Sequence, residues 1–217
     1  MKSSSTLKFN SFCSEIVLLT SLGIEDQLLF SLSTNLKHTA VTINTNLLFP
    51  KTLNLLKLSL EAYGNFISIM LPKWGWALCA LAEHIETNIH ESHFARLRCC
   101  YIRKVENISR NKNVGFRIVG IRAAHSIARQ TFELVQWDNK FNHAKVCILS
   151  FWRLPDVMQC LWSNSICYNS MYDVGFKSIG CNPCTRAVKH YEDARAGRWW
   201  WETKDRSYVE CGLHAVR

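Results

Sequence analysis

An α/β fold, a parallel sheet flanked by helices with an irregular C-terminal segment, is predicted by three observations. Short apolar runs of strand length alternate with longer amphipathic stretches. The turns between them carry Gly, Pro and Asn where a strand must give way to a helix. From Asn164 onward this alternation ends in a stretch rich in Tyr, Gly, Cys, Arg and Trp. With 217 residues, 48% of them hydrophobic, the chain can bury a real core. It is read as one domain, 1–217, whose last residues, 203–217, form a mobile tail.

The elements follow in order. The run EIVLLT (15–20) is a strand that ends at Ser21-Leu22-Gly23, and residues 25–36 form a helix. TAVTIN (39–44) repeats the pattern, with a loop through Asn46 and a helix from Pro50 to about Tyr63; proline suits a first helical turn. NFISIM (65–70) is a third strand and 74–86 a helix. Three successive strand–helix units imply parallel pairing. Residues 99–108 read as helix, 116–120 and 146–149 as strands, and a last helix opens near Leu154. In such sheets ligands gather at the carboxyl ends of the strands. The loops there are TSLGIED, NTNLLFP and GIRAAHS. The backbone N–H groups of the first could cradle a phosphate, although an ordinary strand–helix turn has the same composition.

Charge narrows the partners. The formal net charge of +9 favours anions, and the positive residues recur in short groups beside glycine or cysteine: Arg98, Arg103 and Lys104; Arg122 and Arg129; Arg186; Arg195 and Arg198. That distribution fits a phosphate pocket assembled from several loops better than a nucleic-acid groove. No apolar run is long enough for a membrane span, and MKSSSTLKFN lacks an apolar segment with a cleavage site. A cytoplasmic protein is expected, in which ten cysteines serve metal binding, catalysis or packing.

Four of those cysteines form two pairs, Cys99-Cys100 and Cys181-x-x-Cys184, with 80 residues between Cys100 and Cys181. Four thiolates suit zinc or an iron–sulfur cluster. Neighbouring side chains on a helix diverge by about 100°, so a tandem pair reaches two corners of a large object more readily than one small ion. Spacing alone leaves cluster, zinc and unrelated buried thiols all open. Cys13, Cys79, Cys147, Cys160 and Cys167 sit in largely apolar surroundings and read as core. Trp199 to Trp201 suit stacking on a base or packing under the tail equally well.

Taken together, TSLGIEDQ, LLFPKT, CCYIRKVE, GIRAAHSIAR, YNSMYDVGFKSIGCNPCTRAV, EDARAGRWWWE and ECGLH resemble the assimilatory sulfonucleotide reductases that bear a cluster and use adenylyl sulfate (APS), from about Glu15 to His214. The resemblance implies an adenine nucleotide alpha hydrolase-like sheet of the PP-loop type. It also implies a [4Fe-4S] cluster on Cys99, Cys100, Cys181 and Cys184, and Cys211 as nucleophile. Lys104, Arg122, Arg195, Arg198 and His214 carry over as substrate-binding positions, with Ser21 and Gly23 in the phosphate loop.

The implied reaction begins when a thiolate attacks the sulfur of an activated sulfate and AMP leaves; thioredoxin or a glutaredoxin-like dithiol then frees sulfite. Nucleic acid and membrane are not expected partners, and a homo-oligomer is compatible with the sequence. The departures are Asn44 and Asn46, where the family has an acidic residue and a glycine, and Ala123 and Ile127, where it has a second basic residue and a proline. Two alternatives stand beside this reading. One is a phosphoadenylyl sulfate (PAPS) reductase; the other is a non-enzymatic zinc-containing module that binds nucleic acid.

Overall fold

The apolar run EIVLLT forms β1 (Glu15–Thr20), and its alternation sets the two faces of the sheet. Leu18 points into the main core, whereas Val17 and Leu19 face the opposite side. The computed structural model describes residues 15–36, 38–72, 88–110, 114–125, 129–202, 210, 211 and 213. The expected helix at 74–86, as well as Cys13, Cys79, Ile127 and His214, lie outside these.

After β1 come α1 (Ile24–Ser33), β2 (Thr39–Ile43), α2 (Pro50–Tyr63) and β3 (Ile67–Met70). The run NFISIM is therefore strand only in its second part, because a 3-10 turn occupies Gly64–Phe66. α3 (His93–Cys100) starts at an N-cap in which Ser92 accepts from the Ala95 N–H, and it continues through a π-helical turn (Tyr101–Val105) into α4 (Glu106–Ser109). β4 (Val114–Val119), the hairpin β5 (Val135–Asp138) and β6 (His143–Val146), and α5 (Leu154–Ser163) complete the regular structure.

The six strands are ordered β3-β2-β1-β4-β6-β5. All pairs are parallel except β5–β6, so the expected parallel sheet flanked by helices is present, with one antiparallel edge strand. The strand expected at 146–149 lies earlier, at His143–Val146. α1, α2 and α5 cover one face: Leu28, Leu29, Leu55, Leu56, Val157 and Leu161 pack on Leu18, Ala40, Ile67 and Ile118. The chain runs from β1 to β2 on one side and returns to β4 on the other. The loops after β1, β2 and β4 thus open at the point where strand order reverses, the usual place for a ligand in such sheets.

Candidate active site

Those three loops line one cavity of about 170 Å3, together with Lys104, Tyr172, Lys177–Gly180, Arg195, Arg198, Trp199, Glu210, Cys211 and Leu213. The loop after β1 is shaped by Asp26, the third residue of α1. Its carboxylate accepts from the Ser21 N–H (2.7 Å), the Ser21 hydroxyl (2.9 Å) and the Gly23 N–H (3.3 Å). The turn needs Leu22 at φ 62, a costly angle for a branched side chain that is held here by burying Leu22 in the core. Gly120 at the end of β4 leaves room for the carboxylate; a Cβ there would stand 2.3 Å from Asp26 Oδ1.

Burial lifts Asp26 to about 6, and the neighbouring Glu25 adds to the lift against the Ser21 and Gly23 hydrogen bonds. The folded value lies above the ordinary 3.8, so the fold favours the protonated acid. This contribution is full below about pH 4 and is lost as pH rises through 6. A change of about two units amounts to about 3 kcal/mol. Asp26→Asn is expected to remove that fall in stability between pH 4 and 6, measured by urea unfolding across the range. An unchanged slope would count against it.

A second network runs behind the cavity. Glu25 accepts from Arg122 Nε at 2.7 Å and from His125 Nε2 at 3.0 Å. His125 Nδ1 faces two donors, the Arg122 N–H and Arg129 Nη1, so it must accept and the ring proton sits on Nε2. Burial pulls His125 below its ordinary value despite Glu25, which agrees with a neutral ring. Burial alone would raise Glu25; His125 and Arg122 outweigh it and hold Glu25 at about 2. With His125 neutral, the Arg122 guanidinium is the charge that keeps Glu25 ionised at neutral pH.

The thiols form the third part. Cys99, Cys100, Cys181 and Cys184 share one buried cluster with Ile89, Ile102 and Trp199, and Cys211 packs against it. CNPC is tied to the loop after β2 by the Leu48–Cys181 bridge, by Asn182 N–H donating to the Leu47 carbonyl (2.7 Å), and by Thr45 Oγ1 at 3.3 Å from Cys181 Sγ. Lys104 lies four residues beyond Cys100, on the same side of the helix. Its burial would lower its pKa, but the Cys181, Cys211 and Cys100 thiols outweigh this and raise it. Conversely, burial would raise Cys181, and Lys104, Thr45 and Arg198 bring it below the usual thiol range. Burial and Cys181 push Cys184 up to about 11. Among the described residues no three His, Cys, Asp or Glu side chains converge as a single metal ion would require.

Trp199 joins the thiols to the cavity. It is 2% exposed, has φ 46, and has the guanidinium carbons of Arg96, Arg198 and Arg195 at 4.5, 4.6 and 6.0 Å from its ring. Its indole N–H and that of Trp201 are buried without a hydrogen-bond partner among the described residues. Trp199 belongs both to the buried thiol cluster, against which Cys211 packs, and to the cavity wall.

Of the residues singled out from the sequence, Ser21, Gly23, Lys104, Arg195, Arg198 and Cys211 line the cavity. The four cysteines lie against it through Trp199. Arg122 is not in the wall; it is spent on Glu25. Cys147 is wholly buried and Cys160 half-buried, but Cys167 is exposed instead of in the core. Sequence reasoning missed Glu25, His125 and Glu210 as wall residues. Arg129 carried a signal in its basic group and Glu210 in its place beside Cys211; their partners are far away in sequence.

Known proteins agree with this architecture. Residues 15–187 match the phosphoadenosine phosphosulfate reductase domain family. A protein of Burkholderia cepacia named adenosine 5'-phosphosulfate reductase is 37% identical over 198 residues, 90% of this chain and 78% of that protein. One of the same name from Allochromatium vinosum is 34% identical over 206 residues, 92% and 78% of the two chains. The structure of phosphoadenylyl-sulfate reductase from Candida auris superposes with a TM-score of 0.66 at 22% identity, covering 80% of this chain and 83% of the other. Yeast FAD synthetase gives 0.53 at 15% identity, over 84% and 61% of the two chains. These two show the shared fold, a mostly parallel sheet flanked by helices. Among the described residues no helix is long and apolar enough to cross a membrane. Between enzyme and binding module the relatives decide for the enzyme, and the chain belongs to the phosphoadenosine phosphosulfate reductase domain family of oxidoreductases.

Proposed function

We propose that the protein reduces APS to sulfite and AMP through a cysteine S-sulfonate on Cys211, with a thioredoxin-like dithiol as reductant. The observation that carries this reading is that Cys211 opens into the same cavity as Lys104, Arg195, Arg198 and the loop after β1. The wall holds five cationic side chains, Lys104, Arg129, Lys177, Arg195 and Arg198, against Glu25, Asp26 and Glu210, and Glu25 is already paired with Arg122. Burial, with Arg129 next, pulls Arg195 down to about 10 although Glu210 opposes it. Such a pocket favours an anion carrying several charges.

In the first step the Cys211 thiolate attacks the sulfate sulfur. An S–S bond forms, the S–O bond to the phosphate breaks, and AMP leaves with the electron pair. In the second step a thiolate of the dithiol attacks Cys211 Sγ and sulfite leaves. The second thiol resolves the mixed disulfide, so the dithiol supplies both electrons. Lys104, Arg195 and Arg198 would neutralise charge gathering on the leaving phosphate. A tail that moves serves both steps.

Four thiols from two segments, buried in one cluster with Trp199, whose indole N–H has no hydrogen-bond partner among the described residues, suit a [4Fe-4S] cluster on Cys99, Cys100, Cys181 and Cys184. When bound it would place a polarisable charge beside Lys104; binding and orienting the nucleotide fall to the side chains above.

Selecting PAPS would require partners for a further phosphate. Ala123 offers none, and Arg122 is committed to Glu25. The expected kcat/KM for APS exceeds that for PAPS by at least about tenfold, or about 1.4 kcal/mol. Measured with one thiol donor, equal efficiencies would overturn this choice of substrate. Failure of APS to release sulfite at all would overturn the proposed function.

A further inference from the structure

The tail residue before the proposed nucleophile is held by three arginines. Glu210 is 8% exposed, and its carboxylate takes both arms of Arg129, Nε at 2.8 Å and Nη2 at 3.1 Å, while Arg195 Nη2 stands at 3.3 Å. Its backbone carbonyl accepts from Arg96 Nη1 at 2.7 Å. Arg96 itself is 1% exposed and grips Glu202 with Nε at 2.7 Å and Nη2 at 2.8 Å. One guanidinium on α3, four residues before Cys100, therefore fixes the chain at both Glu202 and Glu210. Cys211 is the next residue, half-buried against the thiol cluster.

We propose that Glu210 is the positioning residue that seats Cys211 at the cavity, its carboxylate latching into the Arg129–Arg195 cradle while Arg96 fixes its carbonyl. The inference rests on the function proposed above. A bidentate carboxylate–guanidinium pair fixes direction as well as distance, and next to a nucleophile direction is what matters: misplacement by about 1 Å can cost on the order of a hundredfold. Arg129 also bonds His125, which bonds Glu25 in the first turn of α1, so the tail's carboxylate connects to the start of α1 through three hydrogen bonds.

The test uses the full-length protein with its cysteines intact and follows three quantities: the single-turnover rate of SO3 transfer to Cys211 from saturating APS, the rate of Cys211 alkylation by iodoacetamide, and the Kd for AMP. Glu210→Gln keeps the shape and removes the charge. It is expected to slow transfer at least about thirtyfold and to speed alkylation at least about threefold, with AMP binding within about threefold of the wild type. Loss of a merely structural contact would slow transfer and weaken AMP binding together. Arg129→Gln should slow transfer and speed alkylation in the same way, and the double variant should be little worse than either single one. Wild-type transfer and alkylation rates in Glu210→Gln overturn the proposal. Should that variant lose AMP binding, Glu210→Asp decides: slowed transfer with AMP retained supports the latch, and unchanged transfer refutes it. If the wild type accepts no SO3 from APS, the function is wrong, and the alkylation rates alone still judge the latch.

Discussion

Cys211→Ser is expected to abolish turnover, lowering kcat by at least about a thousandfold, equivalent to about 4 kcal/mol of barrier, while the protein still binds AMP. Cys211 is the only cysteine in the cavity wall among the described residues. Cys99, Cys100, Cys181 and Cys184 are each less than 9% exposed and are turned into their own cluster, so none of them replaces it without rearrangement. A serine hydroxyl ionises far above neutral pH, and its oxygen is a much poorer nucleophile toward sulfur than a thiolate. The change removes one polarisable atom and leaves the Glu210 latch and the arginine wall unaltered, so binding and chemistry separate cleanly. Intact-protein mass after exposure to APS without reductant should show one SO3 group on the wild type and none on the variant. Repeated turnover by the variant would transfer the role of nucleophile to another residue.

The parts of the fold visible in the sequence were those whose local pattern and tertiary role coincide. β1 and α2 fall where expected, because EIVLLT is apolar without interruption and Pro50 starts a helix that ends at Gly64, φ 57. The β5–β6 hairpin was not visible as such. Its buried positions include Asp138, His143 and Lys145, and a strand that points charge inward has no hydrophobic period to detect. The strand becomes intelligible only through the Lys145–Asp138 pair at 2.7 Å, made across the hairpin. The π-helical turn after Cys100 was equally hidden, for YIRKV looks like ordinary helix.

The site divides along the same line. Thiols, lysine and tail cysteine could be read because each carries its chemistry in its own side chain. The roles of Arg122, Arg129 and Glu25 are set by partners 97 and 81 residues away in sequence, and for Glu25 also by His125. Nothing local distinguishes the arginine neutralised by Glu25 from the one facing the cavity.

Cys181→Ser should have the largest effect on composition. Wild-type protein purified without oxygen is expected to hold about four iron and four sulfide per chain, and the variant under a tenth of that, with the brown colour lost. Two of the four thiols leave the end of α3 and two leave the CNPC turn, and 80 residues separate the inner pair. Cys181 is held in place, for its backbone bridges Leu48 and its sulfur meets the Thr45 hydroxyl. A serine oxygen there is harder and shorter than sulfur, and a site that cannot close around it forfeits a ligand. Cys147→Ser makes the control, because Cys147 is equally buried but packs with Val119, Ile121 and Phe132 on another part of the sheet, and its iron content should be unchanged. Removing iron from the wild type with a chelator should lower its melting temperature, because whatever joins the two cysteine pairs also joins α3 to the C-terminal segment. Stoichiometric zinc without sulfide in the wild type would refute the cluster; it would leave the Cys211 chemistry to be judged on its own, since the attack on sulfate sulfur needs only the thiolate, the cationic wall and a leaving phosphate.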